Sequence, residues 1–148
     1  MSDKKHQLLE EMLRIFPKSV IEYPAAPHKC LECDEISVGL KGKTWVDVPS
    51  EFLANNCDVL PLLSEQAYIA YLPAFVREGL LNPDGGVAAM VPINLARATS
   101  AQKYSAEQRR VLVDAVKEMG ALSVWGANDP SHLENIRAVE LAWSPEPT

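Results

Sequence analysis

The sequence has little cysteine and lacks a long apolar run. It contains three cysteines among 148 residues, an odd number that cannot form a complete disulfide framework. No apolar run approaches the roughly 20 residues that a membrane-spanning helix needs. The apolar residues of positions 1–16 are periodic rather than continuous, so we expect no signal peptide. These features predict a reduced, cytoplasmic setting and no membrane partner.

The chain also lacks an excess of positive charge. It has 14 Lys and Arg against 20 Asp and Glu, for a net charge of −6. Nucleic-acid binders obtain most of their affinity from Lys and Arg on phosphates, so we expect no nucleic-acid partner. The negative charge is concentrated in residues 30–67, which hold seven acidic and two basic side chains. An acidic segment of this kind attracts basic partners, although it serves solubility equally well.

Apolar residues recur every three and four positions in several segments, which predicts about six helices. The predicted segments are 3–16, 27–41, 50–56, 65–81, 106–119 and 131–143. Residues 87–95 fit either a strand or a helix. Pro73 is expected to kink or break the fourth segment, and Gly120 to end the fifth. We predict an all-α fold with little or no β-structure, one compact domain over residues 1–148, and a frayed tail at 143–148.

Residues 27–45 hold most of the chemically suggestive side chains. Zinc could be bound by His28, Cys30, Cys33 and Cys57. However, the second Cys-x-x-Cys pair that is typical of structural zinc sites is absent. On a helix that ends at Gly42, Cys30 and Cys33 lie one turn apart on the apolar face, where free cysteines are usually buried. We therefore predict two core cysteines and no bound metal, and a zinc-stabilised regulatory domain stays an alternative.

Familiar catalytic motifs are missing or incomplete. Residues 37–44 differ from a phosphate-binding loop by having Ser37 in place of glycine, and they follow a predicted helix rather than a strand. No Gly-x-Ser-x-Gly nucleophile motif occurs. Tyr68, Tyr71 and Phe75 recur at helical spacing, which predicts core packing. We expect no cofactor, and an enzyme of unfamiliar type, with a pocket lined by Tyr68, Tyr71 and Trp125, stays a further alternative.

Four short sequence motifs carry a resemblance to a known group. Taken in order, C-x-E-C, L-x-G-x-T-W, Y-L-P-A and S-x-E-Q-R resemble a family of small uncharacterised bacterial all-helical proteins. The likeness covers about residues 28–120. It implies a bacterial origin and one shared helical fold, and it brings no activity and no site residue with it.

The sequence favours a non-enzymatic, acidic, cytoplasmic protein-binding module. Its sharper form is a bacterial immunity protein that neutralises a basic toxin domain, because opposite charge speeds association. Trp45 is expected to act as an interface anchor, since Trp is enriched among residues that dominate binding energy. The acidic residues expected to contact the partner are Glu32, Asp34, Glu35, Asp47, Glu51 and Asp58.

Overall fold

The computed structural model describes residues 3–21, 25–26, 28, 31–97 and 101–144, and these form seven α-helices. Their bounds are α1 Asp3–Ile15, α2 Leu31–Leu40, α3 Ser50–Asn55, α4 Glu65–Leu81, α5 Gly86–Arg97, α6 Ala106–Leu122 and α7 Pro130–Trp143. Short 3₁₀ turns occur at Leu60–Leu62, Ala101–Lys103 and Gly126–Asn128. No strand occurs in these ranges, so the all-α prediction is confirmed, and the ambiguous segment 87–95 is helical.

The helix ends follow the capping residues in the sequence. Ser105 Oγ accepts a hydrogen bond from Gln108 N at 3.0 Å while Ser105 N donates to Gln108 Oε1 at 2.9 Å, a complete capping box at the start of α6. Gly42 follows α2 with a φ of +76°, in the left-handed region that favours glycine. Lys43 Nζ then donates to Gly39 O at 2.8 Å, placing a positive charge at the negative end of α2.

Pro73 lies inside α4, which is continuous from Glu65 to Leu81. Of the predicted kink or break, the break is therefore wrong. Proline cannot donate to the carbonyl four residues earlier, which is that of Ile69. Tyr104 Oη supplies this bond instead, donating to Ile69 O at 3.1 Å. A side chain from a distant part of the chain thus compensates the helix for its proline.

Gly120 does not end α6, which continues to Leu122. It is buried where α6 and α7 approach each other. A Cβ at this position would lie 2.5 Å from Ile136 Cδ1, which is too close for an ordinary contact. The glycine therefore permits close helix packing rather than termination.

The core is built around α4, which packs against α1, α3, α5 and α6, while α7 covers α5 and α6. Four aromatic rings form a chain through it. The ring centroids are 6.4 Å apart for Trp45 and Phe16, 6.2 Å for Phe16 and Tyr104, and 5.5 Å for Tyr104 and Trp143. Tyr68, Tyr71 and Phe75 are buried, which confirms the predicted packing seam.

The C-terminal end of the last helix differs from the prediction. Trp143, the first residue of the predicted frayed tail, is fully buried as the last residue of α7, so the tail cannot begin there. Residues 145–148 lie outside the described residues. Over the described part of the chain, none of the helices is both long enough and apolar enough to cross a bilayer.

Candidate protein-binding face

The helix α2 is held to the core by one side. Cys33, Ile36 and Leu40 are buried, which confirms the core position predicted for Cys33, while Cys30 lies outside the described residues. Ser37, also buried, accepts a hydrogen bond from Ala26 N at 3.0 Å and donates to Ala26 O. These contacts fix the rotation of α2 about its own axis, so its opposite side must face the solvent.

The outer side of α2 combines apolar and acidic side chains. Leu31 and Val38 are 75% and 62% exposed, which is high for large apolar residues. Glu35 stands between them at helical spacing, and Glu32 and Asp34 are exposed beside it. Single exposed apolar residues are common, but here two large ones flank carboxylates on one helix face. Protein interfaces combine an apolar core with a polar rim, and this surface offers groups for both.

A shallow groove of about 430 Å³ extends this surface from α2 to α3. It is lined by Asp34, Glu35, Val38, Gly39, Phe52 and Asn56. A Cβ at Gly39 would lie 2.1 Å from Phe52 Cε2, so the glycine is what lets the Phe52 ring lie against α2. We name the exposed side of α2 together with this groove the α2–α3 face. Sequence reasoning missed Val38, Gly39 and Phe52.

The six acidic residues predicted for partner contact are all exposed, but they do not form one cluster. Asp34 and Glu35 meet in the groove, with Glu32 beside them on α2. Glu51 borders a second cleft, of about 550 Å³, and Asp58 a third, of about 600 Å³. The structure therefore places Glu51 and Asp58 at two other clefts.

Asp47 has a local structural role. It accepts hydrogen bonds from Thr44 Oγ1 at 2.8 Å and from Thr44 N at 3.3 Å within one turn. These bonds, assisted by the positive charges of Lys18 and Lys43, hold the pKa of Asp47 below its ordinary value. Because its charge already serves the turn and has bases near it, Asp47 is a weak candidate for partner contact.

Trp45 cannot be an interface anchor, because its side chain is fully buried. Its indole nitrogen donates to Phe16 O at 3.4 Å, and the Arg77 guanidinium lies 5.5 Å from its ring centroid. Arg77 also donates to Val46 O and Val48 O, which closes the turn over the ring. The predicted anchor role is wrong, since the cation and the turn together remove the ring from solvent.

The carboxylates of Glu32, Asp34 and Glu35 form no ion pair with the cations that the structure describes. Within the described ranges, the ion pairs are Arg14–Glu107, Lys103–Glu65, Arg110–Glu11, Arg110–Asp114 and Lys117–Glu140. None of them includes Glu32, Asp34 or Glu35. Carboxylates that share one surface produce a negative potential that attracts cationic groups.

Of the four residues considered for zinc, His28, Cys33 and Cys57 are described, and the structure does not bring these three together. No group of three or more His, Cys, Asp or Glu side chains suited to a metal ion occurs among the described residues. Cys33 faces the core, whereas Cys57 lies beside α5, where a Cβ at Gly86 would be 3.2 Å from its sulfur. His28 is exposed.

The pocket proposed for the enzyme alternative is not assembled. Tyr71 is fully buried, and its hydroxyl donates to Lys43 O at 2.7 Å, so it is used in holding the end of α2. Tyr68 borders the 600 Å³ cleft. Trp125 instead packs on His132, with 4.8 Å between their ring centroids. The three aromatic residues thus occupy different sites.

His132 gives the protein a pH-dependent element of stability. It is buried beneath Trp125, and this burial lowers its pKa below the ordinary value, while the charge of Asp129 acts in the opposite direction. The unfolded chain keeps the ordinary pKa of about 6.5. Below that pH the unfolded chain therefore binds more protons at this site than the folded chain, and stability is lost as the pH falls.

We expect the free energy of unfolding of the wild type to fall between about pH 7.5 and pH 5.5 by more than that of His132→Gln. Urea denaturation at both pH values checks this. His6→Gln is the matched control, because His6 is exposed on α1, and it should show the wild-type loss. Equal losses in the wild type and in His132→Gln would contradict the prediction.

No family model matches the chain, and no curated protein and no solved structure is found to be similar to it. The resemblance to small bacterial helical proteins therefore stays a prediction from four sequence motifs.

Proposed function

We propose that the protein is a protein-binding module and that its α2–α3 face contacts a basic partner protein. The observation that carries this proposal is the set of exposed carboxylates, unpaired within the described residues, next to exposed Leu31 and Val38. The buried side of α2 holds this surface in one orientation, which lowers the cost of ordering it on binding.

The two kinds of side chain serve different steps of association. The carboxylates of Glu32, Asp34 and Glu35 steer a cationic partner and raise the association rate. Leu31, Val38 and the half-buried Phe52 ring lose water on contact, which slows dissociation. A nucleic acid would be repelled by the same carboxylates, so a protein with a basic patch fits this surface best.

In its sharper form, the proposal is that of a bacterial immunity protein that acts in the cytoplasm and neutralises a toxin domain. A toxin domain that acts on nucleic acid needs a basic binding surface. A small acidic inhibitor covers such a surface through complementary charge, and fast association protects the producing cell. The partner to test is the product of the adjacent reading frame, in a pull-down with the full chain.

If that product is captured, the α2–α3 face can be tested with a charge-neutral double variant. We expect Asp34→Asn together with Glu35→Gln to lower the association rate at low salt by about tenfold. The matched control is Glu10→Gln together with Glu134→Gln, which removes two exposed acids from α1 and α7. Stopped-flow or surface-plasmon measurements of the association rate at several salt concentrations compare the two.

The control should change the association rate by less than about twofold, since its charges lie on other helices. Equal effects of the two double variants would show that total charge, rather than the α2–α3 face, controls association. If the neighbouring product is not captured at all, the immunity form of the proposal is wrong.

A further inference from the structure

The largest of the three clefts shares no lining residue with the groove and has the composition of a small-molecule site. It holds about 600 Å³ between the 3₁₀ turn Leu60–Leu62, the beginning of α4 and residues 90–97 of α5. Its apolar wall includes Leu60, Leu63, Met90 and Ile93. Binding sites for small molecules usually measure about 300–1,000 Å³ and are mostly apolar, with a few oriented polar groups.

The polar groups at this cleft are held in fixed positions. Tyr68 Oη donates to Asn94 Oδ1 at 2.7 Å, which orients the amide and leaves Asn94 Nδ2 outside that bond. Burial raises the pKa of Tyr68 far above its ordinary value, so its hydroxyl stays protonated and continues to donate. The amide nitrogen is therefore a ready donor at the cleft.

One of the three charged side chains that line the cleft has an ion-pair partner, and two have none within the described residues. The Glu65 carboxylate already has a partner, since Lys103 Nζ lies 3.7 Å from it. Arg97, at the end of α5, lines the cleft, is exposed and forms no ion pair within the described ranges. Asp58 lines the cleft with no ion pair there either. A guanidinium with a neighbouring amide donor is suited to a carboxylate.

We propose that this cleft binds a small apolar molecule bearing a carboxylate, with the carboxylate on Arg97 and Asn94 Nδ2 and the apolar body against Met90 and Ile93. Two sources share this chemistry. A fatty acid offers the carboxylate alone, whereas an apolar amino acid also offers an ammonium group that Asp58 would accept. The site is independent of partner binding at the α2–α3 face, so either proposal can fail without the other.

Cys57 lines the cleft and provides a direct reporter of occupancy. Cys57 is half-buried, whereas Cys33 is fully buried. Once the third cysteine is removed by Cys30→Ser, Cys57 is therefore the thiol that reacts with Ellman's reagent. Bound decanoate or leucine should slow this reaction in a saturable way. Decanol has the apolar body of decanoate without its charge, and it should protect Cys57 at least about tenfold more weakly.

Variants of the charged residues then identify the ligand source. Arg97→Gln should weaken the protecting ligand by about tenfold, while Arg137→Gln, which removes an exposed cation from α7, should leave its affinity within about twofold. Asp58→Asn should lower the affinity for leucine, because it removes the partner of the ammonium group. The affinity for decanoate should stay the same or rise slightly. The proposal is overturned if neither decanoate nor leucine protects Cys57, or if decanol protects it equally well. It is also overturned if Arg97→Gln and Arg137→Gln bind the ligand with equal affinity.

Discussion

Trp45→Ala is expected to lower the free energy of unfolding by about 3–5 kcal/mol. The ring is fully buried and contacts Phe16 edge-on, and its indole nitrogen reaches Phe16 O. Removing it leaves a cavity at the junction of α1 and the turn that follows α2, and it uncovers the Arg77 guanidinium that lies over the ring. Urea denaturation followed by far-ultraviolet circular dichroism measures the loss without relying on tryptophan emission.

Trp125→Ala is the matched control for this experiment. Trp125 is 38% exposed and packs on His132 at the surface, so its removal should cost about 1 kcal/mol. Both variants delete an indole, but only Trp45 fills the interior. If Trp45→Ala were as stable as Trp125→Ala, the buried position of Trp45 would be wrong, and its role as a partner anchor would have to be reconsidered.

Trp143→Ala should also lower the free energy of unfolding by about 3–5 kcal/mol. Its ring stands at the other end of the aromatic chain, 5.5 Å from the centroid of Tyr104, and its indole nitrogen donates to Leu95 O at 2.8 Å. The substitution therefore creates a cavity and leaves a carbonyl of α5 without this donor. The same denaturation measurement reports the loss.

Leu141→Ala on the same helix serves as the comparison for Trp143. Leu141 is 70% exposed, so its truncation should change the free energy of unfolding by no more than about 0.5 kcal/mol. A small effect at both positions would mean that α7 does not close the core. A large effect at Trp143 alone would also confirm that the chain is ordered through residue 143, where a frayed tail was predicted to begin.

Local sequence signals predicted most of the helices. Ser64 and Ser105 cap α4 and α6, and Gly42 follows α2 in the left-handed conformation. These signals act over three or four residues, so they can be recognised without knowing the rest of the chain. The segment 87–95 was ambiguous because a continuous apolar run satisfies a buried strand and a buried helix equally.

Contacts between distant segments explain the wrong predictions. Pro73 does not break α4, because Tyr104 supplies the missing donor from a site 31 positions further along the chain. Gly120 lies inside α6, where the Ile136 side chain of α7 occupies the space that a Cβ would fill. In both cases the deciding partner is far away in sequence, so periodicity and capping rules cannot reveal it.

At the candidate site, too, some properties follow from the local sequence and others from contacts between distant segments. The composition of residues 30–67 predicted an acidic surface, and all six acidic candidates are exposed. Which of them share a groove was decided by the packing of α2 on α3, where Gly39 admits the Phe52 ring beside Asp34 and Glu35. Trp45 was predicted to be an interface anchor from its residue type, but the turn folds over its ring through Arg77.

The sequence by itself determined the all-α class, the helix ends that depend on capping, and the net negative charge, because each of these follows from residue type and short-range spacing. Only the tertiary structure decided which acids form the α2–α3 face, which tryptophan is accessible, and where the 600 Å³ cleft opens. These properties depend on how the helices are rotated and packed against each other, and that arrangement is set by side-chain contacts over the whole chain.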